Sequence, residues 1–411
     1  MEFFEDIIPI TEKSNRAMGI YPKILGYFLT VLIGGERFTH INYLGNREIT
    51  AKMFEVKQLP ANSSPIIKMF QKLTRWKTVE LIEEKVWDFL FHILFKESKI
   101  EDWLDFDSTI LERYGNQEGS MIGYNPKKKG RPSHHPLIAF LNKSQYVVNL
   151  VNRPGNSSSA NNIEALYSQT LVRLKNRVRV LGIKADSGFY RRKFLQILER
   201  NEHQYIIAVP FYSPIQQILQ SLKDWTELKD GLEFSEFKFK HESWDKERRY
   251  VAVRQKITRR PNASGKQLRL FPEFDEYRHS VLVTNIEDIH PIDVWESYKP
   301  RAGIECIITA LKDDFALCGF SMKNFFATEL AIILRIFLYN LFVYFKKTFL
   351  NDKEKSFTLR RLKPKYFFIP AMLGSAGNTS ILRLSIPNQS IRAKFQSIIA
   401  QLNQHPPPLV V

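Results

Sequence analysis

Between residues 103 and 209 the chain interleaves short β-branched runs with amphipathic stretches, and two of those runs stop on an aspartate. Leu104-Asp105-Phe106-Asp107 alternates with period two, and residues 146–151, 178–183 and 205–209 are further strand-like runs. Helical spacing fills residues 161–174 and 190–200. Several strands followed by alternating helix and strand restrict this part to a mixed α/β layer fold. Asp107 closes the first strand inside Asp-Ser-Thr, and Asp186 closes a later one at Lys184-Ala185-Asp186-Ser187-Gly188, where the glycine is expected to let the chain turn sharply. Both aspartates are therefore expected at carboxyl-terminal strand edges, where open α/β sheets place their ligands.

Five regions are expected. Residues 1–98 read as helical, with apolar residues at helical spacing through residues 78–95. Ser63-Ser64-Pro65 suits the start of a helix carrying Lys68, Gln71 and Lys72, and both a helix-turn-helix and a plain packing helix fit it. Residues 99–210 form the first part of the α/β core. Residues 211–290 look like a separate β-rich insertion, with strands near 234–239, 250–257 and 279–283 joined by Pro261-Asn262-Ala263-Ser264-Gly265. Residues 291–350 return to helix and close the core. Residues 351–411 form a C-terminal region, and the segment 346–365 that leads into it has eight Lys or Arg against two acids.

Charge points to the class of partner. Among 411 residues there are 60 Lys plus Arg against 43 Asp plus Glu, a net charge of +17. Such a field favours a polyanion, because each neutralised phosphate releases condensed counterions. Cys306 and Cys318 are too few for a disulfide framework or a zinc site, which suits a reducing cytosol. The acidic start at residues 1–10 leads us to expect no signal peptide. The apolar stretch 330–345 is short of the ~20 residues a bilayer needs and contains Arg335 and Asn340, so a buried helix is expected and no membrane partner.

A third carboxylate stands in a patterned segment. From Tyr298 through Arg301 and Glu305 to Lys312 the spacing is Tyr-x2-Arg-x3-Glu-x6-Lys. At about 100° per residue these four positions fall within an arc of roughly 60° on one helix. Ile304, Ile307, Ile308 and Leu311 supply an apolar face beside it. A solvated salt-bridge face gives the same pattern. Carboxylate oxygens are what Mg²⁺ requires, and two such ions can clamp the attacking and leaving oxygens of a phosphodiester.

In these motifs the chain resembles bacterial insertion-sequence transposases of the DDE class. The Tyr298, Arg301, Glu305, Lys312 spacing resembles their signature, and Leu104-Asp105-Phe106-Asp107-Ser108-Thr109 looks like their first-aspartate strand. Tyr114-Gly115-Asn116-Gln117-Glu118-Gly119, Gly123-Tyr124-Asn125, His135-Pro136-Leu137, Arg153-Pro154-Gly155-Asn156 and Ala185-Asp186-Ser187-Gly188-Phe189 follow in the family's order. The resemblance implies an RNase H-like mixed sheet core interrupted by a β-rich insertion, with helical N- and C-terminal regions, the first of them DNA-binding. It implies Asp107, Asp186 and Glu305 as catalytic ligands of two Mg²⁺ or Mn²⁺ ions, with Tyr298, Arg301 and Lys312 gripping phosphates. The implied partners are double-stranded DNA, as terminal inverted repeats and target, and a second copy in a synaptic dimer at the nucleoid. An inactive DNA-binding regulator and another RNase H-like nuclease are the alternatives.

Lesser signals complete the expectation. Residues 238–260 hold nine Lys or Arg and three acids around Trp244, so Arg248 and Arg249 are candidates for phosphate contacts. Trp244 suits stacking on an extruded base, as an insertion tryptophan does in relatives that form hairpin ends, or covering a small core. Lys127, Lys128, Lys129 and Arg131 make a basic loop, and the adjacent His134 and His135 would point to opposite faces of a strand. Arg191 and Arg192 open the helix after Asp186.

Overall fold

The computed structural model describes residues 2–11, 17–96, 99–229, 231–256, 277–377 and 379–404. The turn expected at Pro261–Gly265 lies outside them. Nine strands among the described residues make one sheet: β1 (Ile100–Ser108), β2 (Leu137–Leu141), β3 (Val147–Val151), β4 (Val178–Ala185), β5 (Gln204–Ala208), β6 (Thr226–Lys229), β7 (Leu232–Phe239), β8 (Arg248–Lys256) and β9 (Tyr277–Thr284). Their order is β3-β2-β1-β4-β5-β9-β8-β7-β6. The first three strands meander antiparallel, and β4 and β5 run parallel beside β1. This is the RNase H-like mixed sheet.

The β-rich insertion is not a body of its own. β9 pairs antiparallel with β5, matching Leu282 to Ala208 and Thr284 to Ile206, and β8, β7 and β6 add outward from it. The edge of β5, which would otherwise present unpaired N–H and C=O groups, is thereby covered.

The pleat of β8 separates two layers. Tyr250 and Ala252 join the main core, while Val251 and Val253 face a second cluster with Ile206, Leu282 and Val294. On the first face, Phe106 meets the edges of Tyr167 and Phe194 on helices Ile163–Leu174 and Arg192–Arg200. On the second face, Trp103, Trp295 and Tyr298 pack against the cluster, so helix Pro291–Tyr298 lies across the insertion strands. The insertion thus builds the surface that carries the motif helix to the ends of β1 and β4.

The expected buried helix is Phe325–Phe349, capped by the Asn324 side chain, which accepts from the Ala327 amide. By length and composition it could cross a bilayer, but most of its apolar window is buried within the protein. Its polar residues bond within the protein: Arg335 donates through Nη1 to the Gly319 carbonyl, and Asn340 bonds both the amide and the carbonyl of Val147. The N-terminal helices dock on it, with Phe28 and Phe89 stacked on Phe337 and the Tyr27 hydroxyl donating to the Ala331 carbonyl. Helices Ser64–Lys72 and Trp76–Leu94 are separated by three residues and bury Ile66, Met69, Phe70, Val79, Ile82 and Trp87 in the main core. The packing role of this pair is therefore observed.

Candidate active site

Phe106 on β1 stands opposite Ala185 on β4 in parallel register. The next residue after each is the aspartate, Asp107 still on β1 and Asp186 just beyond β4, so the two occupy neighbouring strand ends. One oxygen of Asp107 accepts from the Ser108 amide at 2.7 Å, and the other lies 3.3 Å from Arg301 Nη2. Asp186 caps the short turn Ser187–Phe189 by accepting from the Gly188 amide at 2.9 Å. Gly188 is required for space rather than for a left-handed turn. A Cβ there would lie 2.9 Å from Ser159 Cβ and 3.0 Å from Asp186 Oδ1, and its φ is not positive.

The third carboxylate arrives on a helix that is bolted to both strand ends. Helix Pro291–Tyr298 passes through a 3₁₀ turn, Lys299–Arg301, into helix Ala302–Asp313. With about three residues per turn, positions i and i+3 eclipse, so Tyr298 and Arg301 point the same way. The Tyr298 hydroxyl donates to the Ala185 carbonyl at 3.2 Å, and Arg301 Nη2 donates to the Phe106 carbonyl at 3.2 Å. Each bond ends on the residue just before an aspartate. Both side chains were expected to grip phosphate; here their polar atoms hold the protein's own backbone. Glu305 follows in the first turn of Ala302–Asp313 and is exposed, and Lys312 lies two turns further along, half-buried.

Burial pushes the Asp107 carboxyl up to about 6; Arg301 opposes that shift, while the negative charges of Asp186 and Glu305 add to it. Tyr298 is pushed up to about 12, by burial first and then by Asp186 and Asp105 against the lowering effect of Arg301. For Arg301, burial works against the charge, but Asp107, Tyr298 and Asp186 outweigh it and the guanidinium is held more firmly protonated than usual. The site thus carries more carboxylate than one buried arginine neutralises, which is the electrostatic condition for a divalent cation. The donor chemistry, carboxylate oxygen throughout, fits Mg²⁺ or Mn²⁺. Among the described residues no three acidic, histidine or cysteine side chains close around a single ion position, so Glu305 is electrostatically coupled to the aspartate pair without completing a cage.

A second layer supports the first aspartate, and sequence reasoning left its role open. His135 bonds Ser108 Oγ at 3.1 Å and the Ser157 carbonyl at 2.8 Å, while its neighbour His134 faces Arg113 and the Glu118 carbonyl. Arg153, in the Arg-Pro-Gly-Asn motif, donates to the carbonyls of His135, Ser158, Ser159 and Asn161, and so ties β2 to the loop that touches Gly188. A motif without an obvious chemical role was the available signal.

Two cations of the insertion expected at phosphates are turned inward. Arg248 is buried and clamps Glu199 with Nε and Nη2 at 2.8 and 3.0 Å. Arg249 is buried too, paired with Glu236 and donating to the carbonyls of Ile286, Glu287 and Ile289. Both guanidinium groups are thus committed to internal acceptors. Trp244 is half-buried, with Tyr190 4.8 Å away ring to ring and the Arg248 guanidinium 5.1 Å from its ring centre. That is the geometry of a tryptophan covering its own region's core, beside the turn that follows Asp186. Of the lesser cations, Arg191 donates to Ser158 Oγ and Arg192 to the Ser243 carbonyl.

Comparison with known proteins adds a family. The model of the family described as "Transposase DDE domain group 1" matches residues 4–407. Among solved structures, the chain is similar to the piggyBac transposase in its synaptic complex with hairpin DNA, at 13% identity and a TM-score of 0.46, covering 99% of this chain and 78% of that one. No curated protein matches.

Proposed function

Because the chain belongs to the DDE transposase family, we propose that it is the transposase of a bacterial insertion sequence, cutting the element's ends and joining the freed 3′-hydroxyl to target DNA. One observation carries this reading: Asp107 and Asp186 sit on adjacent parallel strand ends, and Tyr298 and Arg301 dock the helix bearing Glu305 onto the residues just before them. Asp107, Asp186 and Glu305 would hold two Mg²⁺ or Mn²⁺ ions, which when bound supply polarisation of the scissile phosphate and of the attacking hydroxyl.

The chain's own residues do the rest. Arg301 offsets part of the aspartates' repulsion and lessens the rise that burial imposes on Asp107. Tyr298 and Arg301 fix the pitch of the Glu305 helix against the sheet. His135 and Arg153 hold the Ser108 edge. Lys312 lies near His135 and Lys127, and is the residue of the motif we assign to a DNA phosphate. Arg248, Arg249 and Trp244 are not carried into the DNA interface. Following the family resemblance, two copies of the chain hold two terminal repeats together.

Asp107→Ala, Asp186→Ala and Glu305→Ala test the reading separately. Carboxylates that act only on developing charge contribute to the rate and little to affinity, so each variant is expected to lose about 10²-fold or more in nicking yet to bind the element ends as wild type does. The measurement is a gel shift and a nicking assay on the same DNA with Mg²⁺ or Mn²⁺. Cleavage at wild-type rate by Glu305→Ala would sink the assignment of the triad. Binding without cleavage by the wild type, with either metal, favours the regulator instead.

A further inference from the structure

The basic loop and the exposed aromatic residues beside it form one structural unit next to the site. Three short strands, Leu111–Glu112, Met121–Ile122 and Pro132–His134, make a flap that leaves the core after Asp107 and returns at His135. Its outer surface combines two features that proteins usually keep apart. Tyr124 is 76% exposed and Ile122 64%, with Met121 and Tyr114 also open to solvent. Within a few residues, Lys127, Lys129 and Arg131 are exposed, Arg131 lying 4.7 Å over the Tyr114 ring and Lys128 paired with Glu112. Arg113, next to the flap's first strand, donates to the Cys318 carbonyl at 2.7 Å just after the motif helix, and His135, where the flap returns, bonds Ser108 Oγ at 3.1 Å, so the flap borders the site.

The flap is rigidly set. A Cβ on Gly123 would lie 2.0 Å from the Gly155 carbonyl oxygen, and one on Gly155 would lie 2.2 Å from the Met121 carbonyl oxygen, so the flap meets the Arg153–Asn156 segment backbone to backbone. At its other side the Glu118 side chain accepts from the backbone amide of Phe325 and the side-chain Nδ2 of Asn324, at the start of the long core helix, and its own amide donates to the Lys323 carbonyl. A stiff platform that displays a tyrosine and cations at an active-site border suits a ligand with flat apolar faces strung on a negative backbone. Double-stranded DNA hides those faces, and an acidic peptide lacks them.

We propose that this flap is a docking platform for single-stranded DNA, with Tyr124 stacking on an unpaired base and Lys127 and Lys129 at its phosphates. The proposal rests on the Asp107–Asp186 edge being the cutting site only for what brings the strand there; binding itself is read without cleavage. A fluorescein-labelled 20-nucleotide oligothymidylate and a 20-base-pair duplex are titrated with full-length protein without divalent ions. Base–aromatic stacking contributes about 1–3 kcal/mol, so Tyr124→Ala is expected to weaken oligothymidylate binding about 5- to 150-fold and to leave duplex binding and melting temperature unchanged. Tyr124→Phe keeps the wild-type affinity. The Lys127→Ala/Lys129→Ala double variant weakens binding of the oligothymidylate and lowers the salt slope by about 0.7 per lost contact. Asp107→Ala retains all of this, so the platform and the cutting site fail independently. Wild-type affinity in Tyr124→Ala, equal loss on the duplex, no binding of oligothymidylate by the wild type, or competition by poly-glutamate as strong as by oligothymidylate would overturn the proposal.

Discussion

The same residue type plays two parts in this chain, and the groups that surround its charge decide which. Arg301 lies among carboxylates at the sheet edge, where its charge lowers a repulsion that the site itself creates. Arg248 lies among Glu199, Asp245 and the Lys246 carbonyl, where its charge closes a structural clamp between β8 and helix Arg192–Arg200. Its side chain and that of Glu199 are 2% and 12% exposed, so removing Arg248 takes the two-point partner from a buried carboxylate and leaves it only Lys246 and the Tyr205 hydroxyl. Breaking such a pair costs about 3–5 kcal/mol. Arg248→Ala is therefore expected to lower stability by that order while the salt dependence of DNA binding keeps its slope. A phosphate contact would give the reverse, a stable protein whose slope falls by about 0.9. Chemical denaturation and a salt titration of DNA binding on one preparation distinguish them.

At the scale of elements, what was legible depended on local period. The strand ends at Asp107 and Asp186 follow from two-residue alternation and β-branched runs, and the Glu305 helix follows from apolar spacing. Which strand lies beside which is a tertiary fact. Nothing in residues 226–284 announces that β9 will pair with β5, and so the insertion read as separate. The tight 3₁₀ turn at Lys299–Arg301 was also hidden, although it is what turns Tyr298 and Arg301 inward. Buried contacts between helices were equally out of reach. Glu83 on Trp76–Leu94 and Glu329 on Phe325–Phe349 face each other with Arg173 nearby, and Glu80 and Glu84 add negative charge. Burial, first of all, raises both: Glu83 well above the usual carboxylate range and Glu329 to about 7, although the Asn152 amide and Arg173 favour its charged form. Between the ordinary carboxylate pKa and about 7 the native protein holds a proton that the unfolded chain has released. Stability from this pair is thus fully present below about pH 4.5 and lost as pH rises through 7. The Glu83→Gln/Glu329→Gln double variant is expected to melt with a flatter pH dependence than wild type between pH 5 and 8, and to gain most at pH 8. Parallel melting curves across that range would rule the pair out as the source.

For the whole molecule, the main core joins residues from before residue 99 to the long helix that backs the sheet. Phe4, Phe28 and Phe89, all before residue 99, pack on Phe337 of the long helix, and Tyr27 hydrogen-bonds its backbone. The Phe320 amide donates to the Glu36 carbonyl, and a Cβ on Gly319 would lie 2.2 Å from that same oxygen. The helix so covered also carries Asn340, which satisfies both backbone groups of Val147 on β3. Cutting the chain at residue 98 would therefore strip an apolar face from the element that backs the sheet. Large aromatic side chains lose about 1.5–3 kcal/mol each when exposed, and native domains have only about 5–15 kcal/mol in hand. A chain of residues 99–411 is expected to show no cooperative thermal transition and no DNA cleavage, although it keeps Asp107, Asp186 and Glu305. Co-expression with residues 1–98 as a separate chain should restore both, because the contacts are side-chain packing across a surface rather than a feature of the connection. A soluble 99–411 fragment with a sharp melting transition of its own would show instead that the N-terminal helices are an appendage to a core that stands without them.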